Sequence, residues 1–175
     1  VVGQVHEMFK PAASEKGLSF TYDIETDAPT RLIGDGSRFR QLLTALVANA
    51  IKFTEQGEVV IRISLEQPDP MTSIVHCRII DTGVGIDEDQ VNELFLPFQQ
   101  GDDSASRKFG GTGLGLAISN QIVDALCGEI GAQKNPDGGS VFWFKIPFAI
   151  DEQEEAQPIE PPRENGQSTQ RILLA

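Results

Sequence analysis

The sequence predicts an α+β two-layer sandwich, in which a mixed and mostly antiparallel sheet carries helices on one face. Apolar residues recur with helical spacing over residues 1–16, 38–53 and 114–126. Strand-like runs segregate from these helices, as they do in an α+β arrangement. A hydrophobic content of 39% in 175 residues suits one domain with a core and a short extension.

Each predicted helix has a start or end signal. The first helix ends at Gly17, and either Asp35 or Ser37 would cap the second. The third would end at Cys127-Gly128, and we expect Gly128 to adopt the left-handed conformation there because it has no Cβ to clash.

Six strand-like runs complete the predicted sheet. Segments rich in Pro, Asp and Gly at 67–70 and 135–139 would join neighbouring strands as tight loops. The runs cover residues 18–24, 31–34, 58–66, 73–80, 129–133 and 140–147.

The composition excludes several classes of protein. A formal net charge of −12 argues against a nucleic-acid partner, because such binding relies on clustered Lys and Arg. Cys77 and Cys127 have neither metal-ligand spacing nor a disulfide framework, so we expect two buried thiols in a reducing compartment. No apolar run reaches the roughly 20 residues that cross a bilayer, and no signal peptide is visible. These features predict a soluble, cytoplasmic chain.

Two glycine-rich segments indicate a nucleotide site. Asp81-Thr-Gly-Val-Gly-Ile86 follows a predicted strand, and Gly111-Thr-Gly-Leu-Gly115 leads into the third helix. Glycines let the backbone approach a ligand closely, and the N–H groups at a helix start favour phosphate. A single glycine-rich loop before a helix is weak evidence, because dinucleotide folds, kinases and plain turns all use one.

Four segments together resemble the N, G1, F and G2 boxes of histidine-kinase catalytic and ATP-binding domains. They are Asn49-Ala-Ile-Lys-Phe-Thr54, Asp81-Thr-Gly-Val-Gly-Ile86, Leu94-Phe-Leu-Pro-Phe98 and Gly111-Thr-Gly-Leu-Gly115. The resemblance covers residues 17–148. It implies the Bergerat fold, shared with type II topoisomerases and a heat-shock chaperone, and it implies ATP and Mg²⁺ as cofactors.

The resemblance assigns roles to four side chains. Asn49 would offer its oxygen to Mg²⁺, a hard ion that prefers oxygen ligands. Lys52 would place a mobile charge near the phosphates, and Phe53 would pack beside the base. Asp81 would accept a hydrogen bond from the adenine amino group, which favours adenine over guanine because guanine has an oxygen there.

The remaining implied contacts lie in the loops. Glycines of the first segment keep the base pocket open, and those of the second cradle the phosphates, with Arg107 or Lys108 as candidate γ-phosphate contacts. Phe95 and Phe98 are either core anchors that hinge a lid or core residues alone. The implied nucleotide-binding residues of the two segments are Gly83, Gly85, Ile86, Gly111, Thr112, Gly113, Leu114 and Gly115.

Ala45 departs from the family pattern. Related ATPases carry a glutamate there that activates water, and most histidine kinases carry a second asparagine. Without a carboxylate no general base is placed for hydrolysis, so a kinase is favoured over an ATPase of the topoisomerase kind. The alternative is a degenerate nucleotide-binding regulatory module with little turnover.

His6-Glu7 echoes the start of the phosphoacceptor box, but Met8 and the residues after it depart from that box. Neither His6 nor His76 is therefore predicted to accept phosphate.

The resemblance also predicts domain organisation and partners. Residues 1–16 would end a preceding helical segment, 17–149 form the catalytic domain, 150–170 an acidic disordered linker, and 171–175 the first strand of a receiver-like domain. The γ-phosphoryl group would go to a histidine on a dimerising helical hairpin outside this sequence, and a receiver domain or response regulator would accept it next. We expect a monomeric 19.0 kDa fragment and a homodimeric parent protein, whose membrane attachment is left open.

Overall fold

The computed structural model describes residues 1–25, 31–87, 91, 93–96 and 115–151, and the backbone of 171–173. Within these ranges it contains three helices and seven strands. In chain order these are α1 Val2–Glu15, β1 Ser19–Ile24, β2 Arg31–Ile33, α2 Gly36–Phe53, β3 Glu58–Asp69, β4 Thr72–Asp81, α3 Gly115–Ala125, β5 Glu129–Lys134, β6 Ser140–Ile150 and β7 Arg171–Leu173.

The strands form one mixed sheet in the order β1-β3-β4-β6-β2-β7, with β5 also pairing with β6. Only the β1–β3 pair is parallel among the described strands. Along β4 alternate residues such as Val75, Cys77 and Ile79 are fully buried, as expected when one face of a sheet is covered. The predicted α+β two-layer sandwich with a mostly antiparallel sheet is confirmed.

Helix α2 forms the centre of the helical layer. Its apolar face, which includes Leu42, Leu43 and Leu46, is fully buried. The Phe39 ring meets Phe144 and Phe148 of β6 edge to face, at centroid distances of 5.5 and 6.0 Å, an arrangement that aromatic quadrupoles favour. These contacts fix the N-terminal part of the helix over β6.

Helix α2 starts two residues before the predicted Arg38. Asp35 is the N-cap, because its Oδ1 accepts the backbone N–H groups of Ser37 and Arg38, both at 3.0 Å. This arrangement satisfies two of the N–H groups that a helix start leaves unpaired. Asp35 is therefore the correct choice of the two predicted caps.

The β3–β4 hairpin is tighter than predicted. Strand β3 runs through the expected loop at 67–70 as far as Asp69, with a register shift between Glu66 and Asp69. The Asp69 Oδ1 accepts the Met71 N–H at 2.9 Å, which closes a short turn. A bulge shifts the register locally, and proline is tolerated there because this part of β3 extends beyond its pairing with β1.

Within the segment expected to be a strand at 171–175, Arg171–Leu173 form β7, whose backbone pairs antiparallel with β2. Its assignment to a following domain stays a prediction. The described residues contain no helix long and apolar enough to cross a membrane.

The end of α3 corrects two predictions about Cys127. Cys127, not Gly128, has a left-handed backbone, with φ of 55°, and Cys127 is exposed whereas Cys77 is buried. Gly128 donates to the Val123 carbonyl at 2.9 Å, which completes the cap. A Cβ on Gly128 would lie 2.3 Å from the Lys145 carbonyl oxygen, so glycine is needed there for close packing against β6.

We expect Cys127→Gly to raise the free energy of unfolding by about 0.5–1 kcal/mol, because glycine adopts the left-handed conformation without a Cβ penalty. Urea denaturation followed by circular dichroism measures this change. Cys127→Ala is the matched control, since it removes the thiol and keeps the strain. An equal gain in the alanine variant would show that the backbone is not the cause.

Candidate functional site

The last two turns of α2 carry three of the predicted site residues. Asn49, Lys52 and Phe53 are all half-buried, in contrast to the fully buried Leu46 on the core face of the same helix. The Lys52 ammonium lies 5.0 Å from the centroid of the Phe53 ring, within the range of a cation–π contact. Ala45 is half-buried one turn earlier.

The loop after β4 packs directly on this end of α2. The Val84 N–H donates to the Phe53 carbonyl at 3.3 Å. A Cβ on Gly83 would lie only 2.4 Å from the same carbonyl oxygen, so no other residue fits that position without a backbone shift. The structure thus places the C-terminal end of α2, at Phe53, directly against the first glycine-rich segment, and Lys52 and Asn49 lie on the preceding residues of the same helix.

Asp81 is the charged centre of this region. It ends β4 and is only 2% exposed. Its Oδ1 accepts the N–H groups of Gly83 at 2.9 Å and Ser140 at 3.2 Å, and its Oδ2 accepts the Ser140 hydroxyl at 2.9 Å. A carboxylate offers about four acceptor positions, so the described residues leave one position for a further donor.

Burial raises the pKa of the Asp81 carboxyl above its ordinary value, because desolvation disfavours the charged form. The hydrogen bonds from Gly83 and Ser140 oppose this effect and lower the pKa. The net shift is upward. A further hydrogen-bond donor from a ligand would stabilise the charged form of this buried carboxylate.

Three residues that support Asp81 were missed by sequence analysis: Ser140, Asn135 and Gly139. The Asn135 side-chain amide donates to the Asp81 carbonyl at 3.3 Å, and a Cβ on Gly139 would lie 2.1 Å from that carbonyl oxygen. The sequence shows a turn at 135–139 but not its neighbour. The β4–β6 pairing brings Ser140 beside Asp81, 59 residues away in sequence.

The rest of the first segment is shaped by the same turn. Gly85 has φ of 79°, and a Cβ there would lie 3.2 Å from the Gly139 carbonyl oxygen. Ile86 is half-buried and packs on the hydrophobic core. Val84 is 63% exposed. The loop therefore has one apolar side chain packed on the core, Ile86, and one exposed, Val84.

Only the end of the second glycine-rich segment is described. Gly115 is the first residue of α3, is exposed, and would have no described atom within 4 Å of an added Cβ. Helix α3 packs against α2. Phe95 packs against the core, as expected. Arg107, Lys108, Gly111, Thr112, Gly113, Leu114 and Phe98 lie outside the described residues.

The two histidines lie where the sequence predicted. His6 is in α1, with Nε2 2.9 Å from the Phe20 carbonyl oxygen and its ring stacked on Phe20 at 4.7 Å. His76 is in β4, with Nε2 3.3 Å from a carboxylate oxygen of Glu66. Both rings thus make structural contacts.

Comparison with known proteins agrees with this geometry. The family described as histidine kinase-, DNA gyrase B-, and HSP90-like ATPase matches residues 34–150. The sensor protein GacS of Pseudomonas syringae pv. syringae is 43% identical over 148 residues, which are 83% of this chain and 16% of GacS. The chain therefore spans about one sixth of this relative.

Two solved structures share the fold. Full-length ShkA in complex with AMPPNP is 34% identical with a TM-score of 0.70, over 85% of this chain and 29% of ShkA. The nucleotide-free catalytic domain of the histidine kinase ThkA is 28% identical with a TM-score of 0.66, over 83% of this chain and 90% of that domain. The chain belongs to the family of histidine kinase-, DNA gyrase B- and HSP90-like ATPases, as an ATP-binding catalytic domain of the histidine kinase type.

Proposed function

We propose that this chain binds ATP with Mg²⁺ and supplies the phosphoryl donor for a sensor histidine kinase. The observation that carries the proposal is the buried Asp81 carboxylate, oriented by Gly83 and Ser140 and left with one acceptor position. An adenine amino group is a donor that fits this position, whereas guanine presents an acceptor. The ShkA complex with AMPPNP shows that a structure with this fold holds an ATP analogue.

The side chains of the described residues suit a Mg²⁺ ion that is coordinated mainly by the nucleotide. The described residues contain no group of three His, Cys, Asp or Glu side chains that could hold a metal ion. Asn49 makes no side-chain hydrogen bond to another described residue, so its neutral oxygen is available. Mg²⁺ typically takes one or two protein oxygens together with phosphate oxygens and water. When bound, it would neutralise charge on the phosphates.

The chain's own residues would act by positioning the nucleotide. Asp81 orients the base, Lys52 approaches the phosphates from α2, and the helix start at Gly115 favours their negative charge. Ala45 offers no general base for hydrolysis. The γ-phosphoryl group would pass to a histidine of a helical hairpin, and we propose a receiver domain or response regulator as the next acceptor in a homodimeric parent protein.

We expect Asn49→Ala to remove most of the Mg²⁺ dependence of ATP binding, because the variant lacks the proposed metal ligand. Isothermal titration of the chain with ATP, with Mg²⁺ and with EDTA, measures this effect. We expect roughly a tenfold loss of affinity with Mg²⁺ present, about 1.4 kcal/mol, and little loss in EDTA. Asn120→Ala on α3 is the control, and an equal loss in that variant would contradict a specific role for Asn49.

The kinase function is tested on the whole parent protein. Incubation with γ-labelled Mg·ATP should give an acid-labile phosphohistidine, and the Asp81→Asn variant should give little of it. ATP binding without label transfer would contradict the kinase function and leave the binding proposal standing. The regulatory alternative would then take its place, with Ala45 as the residue to restore to asparagine.

A further inference from the structure

Lys16 links α1 to the end of the helix that carries the proposed phosphate and base contacts. Its ammonium donates to the carbonyl oxygens of Ile51 at 2.6 Å, Lys52 at 3.0 Å and Thr54 at 3.1 Å. An ammonium has three donors, and all three are used. These residues lie at the C-terminus of α2, where carbonyl groups lack helical partners and the dipole is negative.

The other carbonyls of this helix end are also satisfied. Ala50 accepts from the Thr54 N–H at 3.1 Å and from the Thr54 hydroxyl at 2.7 Å, and Phe53 accepts from Val84 at 3.3 Å. The last turn of α2 is therefore held by its own cap, by the loop after Asp81 and by Lys16. Of these three, only Lys16 joins it to another helix.

The backbone of Lys16 is itself held in place. Lys16 follows α1 with φ of −88° and ψ of −4°, and the next two residues, Gly17 and Leu18, donate to the Ser14 and Ala13 carbonyls at 3.0 and 2.9 Å. This is the double hydrogen bond of a glycine-type helix cap. A shift of α1 would therefore move the ammonium against the end of α2.

We propose that Lys16 is a positioning residue for the nucleotide site, through which the placement of α1 sets ATP affinity. The inference rests on the proposed function, because the affected residues are Lys52 and Phe53. Without the ammonium the Ile51, Lys52 and Thr54 carbonyls lose this donor, and the last turn of α2 is held less firmly next to Val84. Affinity for ATP then falls because the site must be ordered when the ligand binds.

The test compares Lys16→Met, Lys16→Arg and the control Lys10→Met. Lys10 lies on the same helix, and its side chain is 59% exposed, 3.6 Å from Glu7. We expect Lys16→Met to raise the Kd for Mg·ATP about fivefold under conditions where it is fully folded. Lys16→Arg should stay within about twofold, because the guanidinium can still donate to carbonyls, and Lys10→Met should not differ from the parent chain.

Amide hydrogen exchange gives a readout that needs no nucleotide. The Thr54 amide should exchange faster in Lys16→Met, while the Leu46 amide in the middle of α2 should change only as much as global stability does. Unchanged Kd and unchanged Thr54 exchange in a folded variant would overturn the inference. If the parent chain binds no ATP, the proposed function fails, and the Thr54 exchange alone decides whether Lys16 positions this helix end.

Discussion

Replacing Asp81 with Asn is expected to weaken ATP binding by about a hundredfold, or about 2.7 kcal/mol, the size of a hydrogen bond to a charged acceptor. The amide keeps the shape of the side chain. Its oxygen can still accept from Gly83 and Ser140, and its NH₂ can donate to the Ser140 hydroxyl. The NH₂ group then faces the adenine amino group, so two donors meet. Isothermal titration with ATP measures the loss.

The same variant should be at least as stable as the parent chain at neutral pH. The raised pKa of Asp81 means that burial of the charged form costs free energy in the folded state. This cost is present above the raised pKa and disappears below about pH 3.9, where the carboxyl is protonated in both states. The stability advantage of Asp81→Asn should therefore shrink as pH falls, which urea denaturation at pH 7 and pH 4 can follow.

Asp23→Asn is the control, because Asp23 is exposed on strand β1. It should change neither ATP affinity nor the pH dependence. If the Asp81→Asn variant binds ATP as tightly as the parent chain, the proposed hydrogen bond between Asp81 and adenine is contradicted. A large loss of stability at pH 7 would instead show that the charge itself holds the loop.

Gly139→Ala is expected to lower the free energy of unfolding by about 2–5 kcal/mol, the sum of about 1–3 kcal/mol for overpacking and about 1–2 kcal/mol for backbone strain. A Cβ there would lie 2.1 Å from the Asp81 carbonyl oxygen and 2.7 Å from the Thr82 Cα. Both are backbone atoms of the site, so relief requires moving Asp81. Gly139 also has φ of 91°. Any folded fraction should bind ATP more weakly, which thermal denaturation and titration measure together.

Gly138→Ala is the control that separates backbone strain from steric overlap of the added Cβ. Gly138 has a similar φ of 97°, but an added Cβ would meet no described atom within 4 Å. We expect this variant to lose only about 1–2 kcal/mol, the cost of a positive φ for a residue with a side chain. ATP affinity should stay unchanged. Equal losses in the two variants would mean that the contact with Asp81 contributes nothing.

Local pattern was sufficient where a feature depends on residues close in sequence. The apolar spacing of α2 predicted a helix, and the glycines around Asp81 predicted a loop after the strand; both are present. The family resemblance of these segments also identified the fold. The start of α2 and the end of β3 differed from prediction by a few residues, and the cap at the end of α3 was wrong because a distant neighbour decides it. Gly128 was assigned the left-handed cap, yet the Lys145 carbonyl requires a glycine there and Cys127 turns the chain.

The sequence by itself determined the class of fold, the helix carrying Asn49 and Lys52, and the acidic residue that ends β4. Only the tertiary structure decided what holds them. Ser140 reaches Asp81 across 59 residues, and Lys16 reaches Ile51 across 35. Such contacts depend on strand register and helix packing, which result from burial of the whole core and not from the neighbours of any one residue. The sequence predicted which residues would form the candidate site, but it did not predict the residues that hold them in place.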